Sequence, residues 1–113
     1  MTIKPEPQIC DVAQTISLIG GKWKAIILFH LMEYGVLRFS QLQRHIPGIT
    51  QRMLTLQLRE LEQDGIVNRK VYPQIPPKVE YSLTSLGQTL HPIIIAMKSW
   101  GADYKAKKLK AGM

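Results

Sequence analysis

The sequence predicts a mainly α fold with one small β-hairpin (α+β), and three observations lead there. Five segments carry apolar residues at helical spacing; two short β-compatible runs, Ile66 to Tyr72 and Lys78 to Leu83, stand together late in the chain; and glycine or proline punctuates most of the joins. At 113 residues the chain has room for one domain with a real core and not for two comfortable ones. The expected layout is a flexible arm at 1–9, carrying Pro5 and Pro7, and a single domain over 10–113.

Val12, Ile16 and Ile19 share one face of a short helix starting at Asp11, and Gly20-Gly21 break it. Lys22 to Tyr34, with Trp23, Ile26, Ile27, Leu28 and Leu31, is apolar almost all round, the mark of a central buried helix that Gly35 stops. Ser40 is the expected cap of a third helix holding Leu42 and Ile46, which Pro47-Gly48 ends after about two turns. Thr50 caps a fourth. At about 100° per residue, Leu54, Leu58 and Leu61 gather on one side, while Arg52, Thr55, Leu56, Arg59 and Gln63 fall on the other. The first side is expected inward and the second outward, and Asp64-Gly65 closes the helix.

The two β-compatible runs form the hairpin. In the second, Val79, Tyr81 and Leu83 alternate inward against Lys78, Glu80 and Ser82 outward. The connection Pro73-Gln74-Ile75-Pro76-Pro77 is too long for a two-residue turn and is stiffened by its prolines, so it projects. Thr84 caps a last helix spanning about 84–108, where Leu86, Leu90, Ile93, Met97, Trp100 and Tyr104 follow the alternating steps of a coiled-coil-like seam. His91-Pro92 interrupts it and Gly101 weakens it, so a kink is expected near Leu90.

Composition narrows the function classes. A hydrophobic share of 45% and a charged share of 20% suit a folded domain. Net charge +7 favours polyanions, either nucleic acid or an anionic membrane surface. The longest apolar runs, Ala25 to Phe29 and Pro92 to Met97, fall well short of the roughly 20 residues that cross a bilayer, and Met1 to Ile9 has no signal-like apolar stretch. A cytoplasmic protein without membrane attachment is expected. Cys10 is the single cysteine, so no intrachain disulfide forms, in keeping with a reducing compartment.

Catalytic signatures are missing from the sequence. His30, His45 and His91 lack metal-ligand spacing, Gly20-Gly21-Lys22 lacks the remainder of a phosphate loop, and no serine, cysteine or aspartate arrangement suggests a triad. The expectation is a protein that is not an enzyme and needs neither cofactor nor metal.

Two short helices joined by a glycine-containing turn, the second basic and outward-facing, form a helix-turn-helix, and a hairpin directly after it adds a wing. Candidate duplex contacts are Ser40, Gln41 and Arg44 on the third helix; Thr50, Gln51, Arg52, Thr55, Leu56 and Arg59 on the fourth; and Lys70 and Lys78 flanking the proline loop. Arginine can grip guanine edges bidentately, threonine and leucine can meet a thymine methyl, and lysine can neutralise phosphate. The competing reading of the same side chains is an ordinary solvated face, or one that meets an acidic protein.

The last helix carries about five turns of bulky apolar residues, more than one small domain can cover. A second copy would bury it, giving a winged helix-turn-helix with N- and C-terminal dimerisation helices. The candidate interface residues are Val12, Ile16, Leu86, Leu90, Ile93, Met97, Trp100 and Tyr104. Such a homodimer would present its recognition helices to a pseudo-palindromic site. A cleft between the last helices and the core is the expected seat of any ligand effector.

The segments Ile19-Gly20-Gly21-Lys22-Trp23-Lys24, Arg38-Phe39-Ser40-Gln41-Leu42, Ile46-Pro47-Gly48-Ile49, Met53-Leu54-Thr55 and Leu58 to Gly65 continue through Val71-Tyr72-Pro73, Pro76-Pro77, Val79 to Thr84, Gly87 and Trp100-Gly101. As a collinear set this resembles the HxlR family of bacterial regulators, from Cys10 over nearly the whole chain. The resemblance implies a winged-helix dimer related to the MarR group, binding operator DNA as repressor or activator. Several members sense electrophiles, oxidants or aldehydes through a cysteine before the first helix, the position of Cys10. A helix N-terminus favours the thiolate, while Asp11, where the family commonly has proline, opposes it. The other reading of Cys10 is a small buried hydrophobe. Leu56 stands where the family usually has glutamine, so no family operator is carried over.

Overall fold

The computed structural model describes residues 10–112, so the expected arm at 1–9 lies outside the described residues. Six helices and three strands follow in the order α1 (Asp11–Ile19), α2 (Lys24–Tyr34), β1 (Val36–Arg38), α3 (Phe39–His45), α4 (Gln51–Gln63), β2 (Val67–Tyr72), β3 (Lys78–Leu83), α5 (Ser85–Gln88) and α6 (His91–Ala111).

Helix α2 is the hub. Its Ile27, Leu28 and Leu31 are fully enclosed by Leu42 of α3, by Leu54, Leu58 and Leu61 of α4, by Ile66 and Val67 at the start of the hairpin, and by Ile94 of α6. The expected inward face of α4 is therefore the one the core takes. Each end of α4 is set locally: the Met53 amide donates to the Thr50 hydroxyl at 3.0 Å, and Gly65 follows the helix at φ +76, a conformation few other residues adopt.

Helix α3 starts earlier than its apparent cap suggests. Ser40 lies inside the helix, and the orphan backbone N–H of Arg38 is met instead by the Gln41 side-chain oxygen at 2.8 Å. The turn to α4 is pinned by buried Ile46 and Ile49, with Gly48 between them at φ +88.

The hairpin belongs to a three-stranded antiparallel sheet ordered β1-β3-β2, in which the unanticipated β1 pairs Val36, Leu37 and Arg38 with Ser82, Tyr81 and Glu80. Three residues are too few to show alternation, so β1 has no periodic signature. As the central strand, β3 is flanked on both edges. Its Lys78, Glu80 and Ser82 are consequently half-buried rather than exposed, while Tyr81 is buried and Val79 and Leu83 pack on the core as expected. The loop Pro73 to Pro77 is fully in solvent, with Ile75 at its tip.

The single kinked helix expected after Thr84 is two helices. Thr84 accepts from the Gly87 amide at 3.0 Å and donates to the Gly65 carbonyl at 2.6 Å, tying α5 to the foot of the hairpin. Gly87 packs directly on the Ile66 carbonyl, where a Cβ would overlap the oxygen. Pro92 then sits in the first turn of α6, where its missing N–H costs nothing, and the break falls at Leu90. From there α6 runs about 30 Å, unbroken through Gly101, and only its first turns touch the domain.

Candidate nucleic-acid interface

Two sides of α4 are already committed. Leu54, Leu58 and Leu61 enter the core, and Glu60 pairs with Lys24 of α2 at 3.1 Å on a neighbouring flank. What remains is an exposed strip of Arg52, Leu56, Arg59 and Gln63, within about 60° of one another on the helix circumference, bordered by Gln51 and Thr55. Thr50, Gln51, Arg52, Thr55, Leu56 and Arg59 line one shallow concavity, so the structure brings together all six candidates named on this helix. No acidic side chain of the described residues lies within ion-pair distance of Arg52 or Arg59.

The α3 candidates divide. Ser40 and Arg44 are exposed, whereas Gln41 is half-buried with its carbonyl oxygen used on the Arg38 amide. Arg44 borders a patch where the rings of His45, Tyr34 and His30 cluster, His45 lying 4.5 Å from Tyr34 and 5.4 Å from His30 between centroids, which ties α3 to α2. Partial burial, then the neighbouring His45, hold the His30 imidazole below its ordinary pKa, against a smaller opposing effect of Glu33. Among the described residues no group of three potential ligands could hold a metal ion.

The register of the wing sorts its charges by face. Lys70 pairs with Glu80 and Tyr72 with Lys78, placing these four on one side; Arg69 pairs with Tyr81 and Val71 with Val79 on the other. On the first side both ammonium groups sit over the Tyr72 ring, at 4.9 and 4.7 Å, and Lys78 bonds Glu80 at 3.4 Å. A hydrogen bond from Tyr72, followed by the Lys78 charge, pulls the Glu80 carboxyl below the usual carboxylate range. The second side faces α4. Arg69, absent from the candidates read in the sequence, lines a cleft there with Arg59, Thr55 and Tyr81. Alternation counted back from Tyr81 would have found it had the loop length fixed the register.

Away from this surface the remaining candidates are mostly apolar and uncovered. Val12, Ile16, Leu86, Ile93, Met97, Trp100 and Tyr104 are exposed, Trp100 at 70%, and the Trp100 and Tyr104 rings stack 5.4 Å apart. Leu90 differs, being half-buried against the core. In the single chain Cys10 is exposed rather than packed in the core; it caps α1, and its Sγ accepts the Ala13 amide at 3.4 Å.

A helix-turn-helix whose second helix shows a basic strip, followed at once by a projecting hairpin, defines a winged-helix protein of the nucleic-acid-binding class. The family model of the HxlR-like helix-turn-helix matches residues 18–109, and the chain belongs to that family. It is 58% identical over 104 residues to the HTH-type transcriptional regulator YdeP of Bacillus subtilis, covering 90% of this chain and 80% of the relative. It is similar to the redox regulator HypR in its oxidised form, at 60% identity and TM-score 0.79, over 83% of this chain and 96% of that one. A MarR-family regulator from Porphyromonas gingivalis matches at 36% identity and TM-score 0.77, over 90% and 97% of the two chains. The chain is thus a helix-turn-helix transcriptional regulator of MarR-like fold. Among the described residues no single helix is long and apolar enough to cross a membrane.

Proposed function

We propose that the protein is a sequence-specific regulator that binds double-stranded DNA in the cytoplasm as a homodimer on a pseudo-palindromic operator. The single observation that carries this is the uncovered strip Arg52, Leu56, Arg59 on a helix whose other sides are held rigidly by the domain. That strip is narrow enough to enter a major groove, with guanidinium groups that suit guanine edges or phosphate and a leucine for a thymine methyl. The exposed apolar residues of α1 and α6 support pairing of two copies, since large contiguous apolar surface is costly in a lone chain. Gel-shift and footprinting on selected genomic fragments test this reading, with sedimentation alongside. A dimer whose affinity falls steeply with salt is expected, and a monomer indifferent to duplex DNA in dilute buffer overturns it.

Cys10 makes the regulator responsive to oxidants or electrophiles in this reading. Exposure, the helix-cap position and the likeness to a redox regulator support it. With one cysteine in the chain, a disulfide must form with a second copy or a small thiol, each sulfur giving up its proton and the oxidant taking up two electrons. Diamide should change operator binding of the wild type and leave Cys10→Ser unaffected. An equal response in both removes Cys10 as the sensor. A second reading, a ligand-responsive regulator without thiol sensing, is favoured by an apolar groove of about 260 Å³ between α2 and α6, lined by Ile26, Phe29, Ile94 and Met97.

A further inference from the structure

The cleft between α4 and the wing has a volume of about 430 Å³ and opens on the same side as the exposed strip. Two arginines reach it from different elements, Arg59 from the helix and Arg69 from β2, with Thr55 and Gln51 as polar walls. Glu62 is the acidic residue on its lining, leaving the cleft one charge positive. Neither arginine has an ion-pair partner among the described residues. The two lysines on the opposite face of the wing, by contrast, are occupied by Tyr72 and Glu80.

We propose that this cleft is an anion seat that takes one backbone phosphate of the bound duplex, gripped from both sides by Arg59 and Arg69. The inference rests on the DNA-binding reading and refines it: the strand crossing from the groove filled by α4 to the groove facing the wing passes here. Arg69, not Lys70 or Lys78, becomes the main electrostatic contact of the wing. Arg59 is assigned to phosphate, which leaves Arg52 and Leu56 as the readers of base edges. Guanidinium suits this place because its planar fork can donate two parallel hydrogen bonds to a phosphate.

The experiment measures the salt dependence of binding to operator and to random duplex for wild type, Arg69→Gln, Arg59→Gln, the double variant and Arg52→Ala. Each glutamine variant should lower affinity for the two duplexes by the same factor, and the Arg59→Gln/Arg69→Gln double variant should reduce the log–log salt slope by about 0.9, the value for the one phosphate the two arginines share. Arg52→Ala should lower operator affinity far more than random affinity. A slope unchanged in the Arg59→Gln/Arg69→Gln double variant, with or without a lower melting temperature, overturns the proposal, as does a loss confined to the operator. A free anion is the other source of the same chemistry. If inorganic phosphate stabilises the wild type but not Arg69→Gln, while the DNA slope is unaffected, the cleft serves a small anion and the proposal falls. Failure of the wild type itself to bind duplex would instead sink the broader DNA-binding reading.

Discussion

Helices α4 and α6 both carry a long apolar stripe, and the chain treats the two differently. The stripe of α4 is enclosed: Leu54, Leu58 and Leu61 have almost no surface left in water. On α6 only Ile94 is buried, and Ile93, Met97, Trp100 and Tyr104 stand in solvent. Apolar periodicity therefore states which side of a helix is better out of water without stating what covers it. For α4 the cover is this chain, and for α6 it is proposed to be another copy.

The sharpest way to break the comparison is to truncate one residue on each helix. Leu54→Ala should cost about 2–5 kcal/mol in equilibrium unfolding, because that side chain is fully enclosed by the core, and the loss should be independent of protein concentration. Trp100→Ala should leave the unfolding of the separated chain nearly unaltered yet weaken pairing by about 2 kcal/mol, the scale of an interface hot spot. Sedimentation reads the second effect, and unfolding midpoints that vary with concentration separate it from the first. A Trp100→Ala dimer as tight as the wild type would exclude this seam as the interface.

A second contrast lies within the exposed part of α4. Arg52→Ala should cost about 1–3 kcal/mol of operator affinity and little on random sequence, with an unchanged fold because the side chain is exposed. Equal losses on the two duplexes would reassign Arg52 to the backbone and leave base reading to its neighbours.

How legible each region was in the sequence follows the same physical divide. Helices α1 and α4 and the position of the bend near Leu90, though not the separation of α5 from α6, were readable because their signals are local: Thr50 and Gly65 at the ends of α4, and Pro92 after Leu90. Strand β1 was not, since Val36–Arg38 is a strand only by pairing with β3, more than forty residues later. The same holds for Arg69. Its orientation toward α4 depends on a register that a five-residue proline loop leaves open, whereas Lys70 and Lys78 could be seen as basic without showing that Tyr72 and Glu80 engage them. Ser40 misled because a good capping residue stands two positions after the residue that fills the cap, Arg38, where Gln41 supplies the hydrogen bond.

Gly101 sharpens the account of α6 further. No atom lies within 4 Å of where its Cβ would be, so Gly101→Ala should stabilise the helix by up to about 1 kcal/mol, read by thermal unfolding. A net loss would mean that a partner helix lies against this position too closely to admit a methyl group.

The smallest expected effect concerns the joint between α2 and α3, on which the position of α4 depends. His30 Nδ1 is buried with no hydrogen-bond partner among the described residues, and burial together with His45 depresses the imidazole pKa. An unfolded histidine titrates near 6.5, so as pH falls past that value the unfolded chain takes up a proton before the folded one does. Stability from this group is complete above about pH 6.5 and is lost as pH drops toward the lower folded value. Unfolding at pH 7.5 and 5.5 should show the wild type losing more stability on acidification than His30→Phe, which keeps an aromatic ring against His45 without a titrating nitrogen. An identical pH dependence in both would show that the stacked rings hold α3 without any proton linkage at His30.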